Sequence, residues 1–256
     1  MSFVAAVHAA LVETDPAAKL RAVAALPEPE ASPPADFTDD ARVPGRPGRP
    51  LLVHPQQVPQ RGFGSPAARA ALVHAVAHIE FNAINLALDA CWRFRGLPRE
   101  FYRDWCSVAQ DEARHFALLC DRLREFGHAY GDFEAHSGLW DAAEKTRHDV
   151  LVRMALVPRV LEARGLDVTP GIIVRLRQAR DERTVAALQT ILAEEVRHVA
   201  IGSHWFGWLC AQRGLDPAST FVRLLAEHGA RVRAPVNREA RLAAGFSAAE
   251  LDGIAV

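Results

Sequence analysis

The chain has 256 residues, 50% of them hydrophobic and 24% charged, with a formal net charge of −1. This is the composition of an ordinary globular protein with apolar residues enough for a sizeable core, and it excludes a disordered or low-complexity chain. Acids and bases balance, so no overall field draws the chain onto nucleic acid or an anionic membrane, and any such partner has to be recognised locally.

The first residues, MSFVAAVHAALVETDPAAKL, lack the basic start and small-residue cleavage site of a secretory signal. No stretch is expected to supply the roughly 20 apolar residues that span a bilayer. Cys91, Cys106, Cys120 and Cys210 form no CxxC pair, which suits a reducing compartment. A cytoplasmic protein with no membrane partner is expected. Residues 3–25 carry apolar positions at helical spacing and predict one helix, or two broken near Asp15-Pro16. Nine of the sixteen prolines then fall between Pro27 and Pro59. Proline neither continues a helix nor donates to a ladder, so this segment predicts an extended arm, wrapped on the surface or mobile, serving as a linker or a lid.

Beyond the arm, long helices follow. Ser65-Pro66 is a cap with proline at the first helical position, and the helix it opens is expected to run to about Arg95, before Gly96-Leu97-Pro98. A second spans Pro98 to Phe126 and stops at Gly127. A third is predicted from Gly138 to Arg164, ending at Gly165, with Thr169-Pro170 opening a short helix. The fourth runs from about Asp181 to Arg213. Each long helix measures about 40 to 50 Å at 1.5 Å per residue, the length of a bundle helix. The tail predicts a helix near Pro217 to His228 and two short helical turns. The expected architecture is all-α: an N-terminal helical segment (1–26), a Pro-rich arm (27–64), a four-helix bundle (65–214) and a C-terminal helical extension (215–256).

Three Glu-x-x-His patterns occur: Glu112 with His115, Glu125 with His128, and Glu195 with His198. The middle one straddles Gly127 at a helix end and is set aside. The other two lie inside long helices, where residues three apart share a face and can grip one ion. Each has a glutamate upstream in the preceding long helix: Glu80 lies 32 residues before Glu112, and Glu162 lies 33 before Glu195. One glutamate from the first helix of a hairpin and Glu-x-x-His from the second make half of a dinuclear site. Two hairpins give four carboxylates and two imidazoles, and four carboxylates cancel the charge of two divalent cations; left unpaired in an apolar interior they would carry a large desolvation penalty. Val73, Val76, Ile84 and Leu88 around Glu80, Trp105 and Leu119 on the second helix, and Leu188, Ile191 and Phe206 on the fourth place the acids on apolar stripes. The clusters read DEARH, Asp111 to His115, and EEVRH, Glu194 to His198. Asp111 and Glu194 are candidates for orienting the imidazoles, with Arg114 and Arg197 as their counter-ions.

These repeats resemble the bacterial di-iron oxygenase and ferritin-like superfamily. The stretches HIEFNAINLALDACWRF, DEARHFALL, YGDFEAHSGLWDAAEKT, MALVPRVLEARGLDVTPG and EEVRHVAIGSHWF resemble the ferritin-like family catalogued as domain of unknown function 455, over most of the chain from Gly62 to Phe246. The resemblance implies a ferritin-like bundle holding a di-iron or related dinuclear pair, with distant kinship to a tRNA-modifying hydroxylase, and it names no substrate. At Asn85 the chain departs from the acid common in that family, so no metal role is carried to it.

The leading functional expectation is an oxygen-activating oxidoreductase, with Glu112 and Glu195 bridging two metals, Glu80 and Glu162 as terminal ligands and one histidine on each metal. Iron is the expected metal, and manganese or a mixed pair suits the same ligands. With no flavin, iron–sulfur or nicotinamide motif, electrons are expected from an external donor. The substrate is a small molecule or RNA, and the assembly a monomer or small homo-oligomer. Iron oxidation without an organic substrate is a second class. A nucleic-acid-modifying enzyme is a third, drawing on ARVPGRPGRP and RVRAPVNREAR. Glu144 and His148 lie too far before Glu162 to join its cluster. His78 is read as a structural hydrogen-bonding residue. Pro158 is expected to bend the third helix one turn before Glu162, beside a path for substrate.

Overall fold

Ser65 starts the first long helix: its hydroxyl accepts from the Ala68 amide, and Pro66 fills the first helical position. In the computed structural model of the chain, which describes residues 1–29, 33, 36–58 and 61–254, the described residues are helical and contain no β-strand. Contacts divide the chain into two units, Met1–Trp140 and Asp141–Val256. The all-α reading of the sequence holds.

In the first unit, α1 (Phe3–Val12) and α2 (Pro16–Ala24) are separate helices, broken where Asp15 caps α2 ahead of Pro16. The long helices α3 (Pro66–Arg93) and α4 (Arg99–Glu125) form an antiparallel hairpin, turned through Gly96 and closed at Gly127, both at positive φ. By length and composition α3 is apolar enough to cross a bilayer, contrary to the expectation from its sequence. Yet 83% of its most apolar window is buried within the protein, and that helix carries the buried polar residues Glu80, Asn82, Asn85 and Asp89. It is a core helix.

The described part of the Pro-rich arm lies on the surface of this unit. Gly45 donates to the Leu11 carbonyl at 2.8 Å, and a Cβ at this position would stand 2.2 Å from the Val12 oxygen, so only glycine fits. Farther along, Val53 donates to the Ala135 carbonyl at 2.9 Å and Ala135 to that of Leu51 at 3.0 Å. Residues 30–32, 34–35 and 59–60 of the predicted arm lie outside the described residues.

Lys19, on α2, is fully buried and unforeseen. Its ammonium donates to the carbonyls of Ala10 and Leu11 at the end of α1 (3.1 and 3.0 Å) and to Asn85 Oδ1 on α3 (2.7 Å). It thereby ties three helices together. Burial pushes its pKa down to about 7, against the opposing pull of Glu13. The unfolded chain holds this proton more tightly than the folded one. The group's contribution to stability is therefore complete above the ordinary lysine pKa and is lost as pH falls toward 7. Urea titrations are expected to show stability rising by on the order of 3 kcal/mol between neutral pH and pH 10, with that slope absent in Lys19→Met.

The second unit departs from the expected third helix. The predicted helix from Gly138 breaks into α5 (Gly138–Lys145) and α6 (Val150–Leu156), because Thr146 turns back onto the Ala142 and Ala143 carbonyls and Asp149 caps α6. Buried Arg153 fills the joint, donating to Thr146 Oγ1 and the Ala143 carbonyl, each at 2.7 Å. From α6 the chain passes into a π-helical stretch, Val157–Glu162, and then α7 (Ala163–Gln178). The bend expected at Pro158 takes this wider-wound form. Gly165 does not stop the helix and Thr169-Pro170 does not open a new one, as the sequence had suggested. Pro170 sits inside α7, and the Leu166 carbonyl that it leaves without an amide accepts from Asn237 Nδ2 at 3.2 Å.

Asp181 caps α8 (Glu182–Gln212), which packs antiparallel to the π stretch and α7: Pro158 meets Gly202 and, seven residues on, Gly165 meets Glu195. The tail folds as α9 (Pro217–Glu227), α10 (Arg238–Ala243) and α11 (Ala248–Ile254). A Cβ at Gly202 would lie 2.3 Å from Pro158 Cβ. Gly202→Ala is accordingly expected to lose about 1–3 kcal/mol, the usual range for overpacking, read as a lower urea midpoint.

Candidate metal centre

Helical spacing brings Glu112 and His115 onto one face of α4, and the antiparallel hairpin brings Glu80 of α3 across from them. His115 Nδ1 lies 3.2 Å from Glu80 Oε2 and 3.3 Å from Glu112 Oε2. All three side chains are buried, and each offers an atom within 4.8 Å of the others. Next to Glu80 and His115 in sequence, Phe81 and Phe116 meet at a tilt with centroids 5.3 Å apart, and Phe116 meets Tyr130 edge-on at 4.9 Å.

The electrostatics of this cluster favour a cation. Burial, and then the nearby charge of Glu112, raise the Glu80 pKa well above the ordinary carboxylate range. At His115 burial works against the charged ring, but the Glu112 and Glu80 carboxylates outweigh it and lift the pKa to about 10. Two buried acids thus hold a proton on the imidazole between them. A metal ion bound there would displace that proton and satisfy the same oxygens.

The second unit repeats the motif. Glu195 and His198 share a face of α8, with His198 Nδ1 3.3 Å from Glu195 Oε2, the separation found in the first pair. His198 is wholly buried and Glu195 nearly so. Glu162 closes the π stretch and is half-buried. One turn later Gly165 faces Glu195; a Cβ there would lie 3.7 Å from Glu195 Cγ, which puts the two segments in close register. In the first unit Glu80, Glu112 and His115 thus stand together, and in the second Glu195 and His198 do, with Glu162 one turn before the Gly165–Glu195 contact.

Among the outer residues singled out by the sequence, Arg114 pairs with Asp111 at 2.5 Å, the acid buried and the guanidinium exposed. Glu194 is half-buried and Arg197 exposed. His78 is a structural hydrogen-bonding residue as read: its Nδ1 is 2.8 Å from the Tyr130 hydroxyl, and its Nε2 is 3.2 Å from the His136 carbonyl. A cavity of about 40 Å³ lies between the arm and α3, lined by Arg46, Pro50, Leu52, Phe81, Asn82 and Tyr130. The arm thus roofs the face of α3 that carries His78, Phe81 and Asn82. Sequence reasoning missed Tyr130, since it lies in no long helix and no spacing relates it to Glu80; the course of the arm over α3 is the surface-wrapped one that the sequence allowed.

The chain matches, over residues 8–252, the family described as Protein of unknown function (DUF455). It is a member of that family. An uncharacterised protein of Haemophilus influenzae is 48% identical to it over 216 residues, covering 81% of this chain and 75% of the relative. No solved structure matches the chain. Within this DUF455 protein, what the geometry supports is metal binding by buried glutamate and histidine.

Proposed function

We propose that this DUF455 protein is a dinuclear metal carboxylate enzyme, in which Glu80, Glu112, His115, Glu162, Glu195 and His198 hold two iron ions and the pair activates dioxygen to oxidise an organic substrate. The observation that carries the reading is the repeat: in each unit a buried histidine Nδ1 stands 3.3 Å from the glutamate three residues before it. Four carboxylates match the charge of two divalent cations, and the pull of Glu80 and Glu112 on a proton at His115 supports a cation in the same place. Bound there as the reduced pair, iron would supply electrons and open coordination positions for dioxygen.

The chain's own part is to hold, orient and exclude. Burial of Glu80, Glu112 and His115 keeps bulk water from these ligands, and the arm over Phe81 and Asn82 restricts entry from that side of α3. Asp111, braced by Arg114, and Glu194, near Arg197 in the sequence, form the outer ring that fixes the ligand side chains. An external reductant completes the turnover.

Protein purified without added metal, then analysed for metal and followed spectroscopically through reduction and exposure to air, tests this. Two irons per chain and an absorption band that changes on contact with oxygen are expected. A colourless chain containing zinc alone would refute the oxygen chemistry. Light scattering separates the reading from iron storage, for which a 24-subunit shell is the signature; salt-dependent tRNA retention would point to an RNA substrate.

A further inference from the structure

We propose that Cys91 and Cys106 form a dithiol site at which hydrogen peroxide makes an intramolecular disulfide across the α3–α4 hairpin. Their sulfurs are 3.8 Å apart on facing helices, Cys91 fully buried and Cys106 at 7% exposure. Among the described residues no other pair of thiols is in contact, and all four cysteines are free. The site does not depend on the metal reading.

The surroundings aim the two sulfurs at each other. The Cys91 thiol donates to the Tyr102 carbonyl at 3.6 Å, which leaves its sulfur lone pairs toward Cys106, whose own S–H can donate back to Cys91 Sγ. Tyr102 is itself fixed. Its buried hydroxyl donates to the Phe94 carbonyl at 3.1 Å and accepts from the Leu97 amide at 3.2 Å, locking the turn between the helices. A disulfide has an S–S distance of about 2.05 Å, so the remaining gap is within reach of small side-chain rotations.

The step balances with peroxide as the two-electron oxidant. Cys106, at the less buried edge, attacks one peroxide oxygen; the O–O bond breaks, one water leaves, and Cys106 becomes a sulfenic acid. The Cys91 sulfur then attacks the Cys106 sulfur. The S–O bond breaks, the hydroxide takes the Cys91 proton and leaves as the second water, and the S–S bond remains. Burial pushes the Cys91 thiol pKa well up, so this thiol keeps its proton until the hydroxide leaving Cys106 takes it. Peroxide is small and uncharged enough to enter, whereas glutathione disulfide is not.

The full-length chain, reduced, freed of reductant and kept folded by circular dichroism, is treated with hydrogen peroxide, quenched with an alkylating agent and digested without reduction. A linked peptide pair containing Cys91 and Cys106 is expected, with a loss of two hydrogens from the intact mass and two alkylatable thiols left under denaturant. Dithiothreitol restores all four, and the oxidised form unfolds at higher urea. Glutathione disulfide is expected to leave both residues unmodified, and Cys106→Ser to give no link at all. The proposal is overturned by four thiols surviving peroxide in the folded chain, by sulfinate on either cysteine without the linked peptide, or by a link that forms only after unfolding. The peptide map of the unmutated chain decides the matter even where Cys106→Ser does not fold.

Discussion

Glu112→Gln is expected to strip the chain of tightly bound metal. Glutamine keeps the volume of a side chain that is 1% exposed but removes the negative charge beside His115 Nδ1. A ligand lost outright weakens binding by more than the roughly 10–100-fold that follows loss of an outer hydrogen-bond partner. The metal-free variant is expected to unfold at a urea concentration no lower than that of metal-free wild type, because it no longer sets Glu112's charge against Glu80 in the interior. Metal content after dialysis and urea titration of both forms are the measurements. Glu195→Gln carries the same expectation for the second cluster. If either variant keeps full metal content, that glutamate is not a ligand and the dinuclear reading fails.

The largest expected loss of stability comes from Arg241→Met. Arg241 on α10 and Asp167 on α7 have side chains with 0% exposure, joined by two parallel bonds of 2.9 Å (Nε to Oδ1) and 2.7 Å (Nη2 to Oδ2). Arg241 Nη1 also donates to the Arg159 carbonyl at 3.2 Å, within the π stretch that ends at Glu162. Removing Arg241 leaves the buried Asp167 carboxylate with the Asn237 amide at 2.9 Å and the Arg164 guanidinium only at 3.9 Å, and breaking such a buried pair costs about 3–5 kcal/mol. That is a large part of the total stability of a domain, which is roughly 5–15 kcal/mol. Replacing both partners with apolar residues, Arg241→Met with Asp167→Leu, is expected to recover most of the loss, since no charge is then stranded. Urea midpoints of the two single variants and the double variant close this cycle.

Much of the helical framework was legible because its punctuation is local. Ser65 before Pro66, Asp181 before α8, and Gly127 after α4 act through their own backbone neighbours, and the structure uses each as read. The same holds for the two Glu-x-x-His pairs, whose geometry follows from three residues of α-helix. Glu80 was singled out only through the matched spacing of the hairpins, a longer inference, and the fold sets it 3.2 Å from His115 Nδ1.

What the sequence concealed depends on partners far along the chain. Pro170 reads as a helix start, yet the helix runs through it because Asn237, 71 residues away, takes up the freed carbonyl. Lys19 sits in PAAKL, a segment that looks like the wet side of a short helix, and its three oxygen partners belong to two other helices. Arg159, beside Pro158, carries no sequence signal of burial. It is instead enclosed by Phe206, Phe221 and Phe246, with its guanidinium 4.3 to 4.5 Å from their centroids, and bonded to Glu250 at 2.7 Å.

The wider winding between Val157 and Glu162 amounts to one surplus residue in an otherwise α-helical run. Each residue of an α-helix advances the azimuth by about 100°. If the same number of residues wound evenly as α-helix, every side chain downstream would swing by about that angle relative to those upstream. Pro158 could keep its seat on Gly202 only if Gly165 turned away from Glu195, and Glu162 would be carried off the side on which Gly165 now meets α8. The aim of one carboxylate is thus written in how the backbone winds between two contacts, and that local winding matters there as much as side-chain identity.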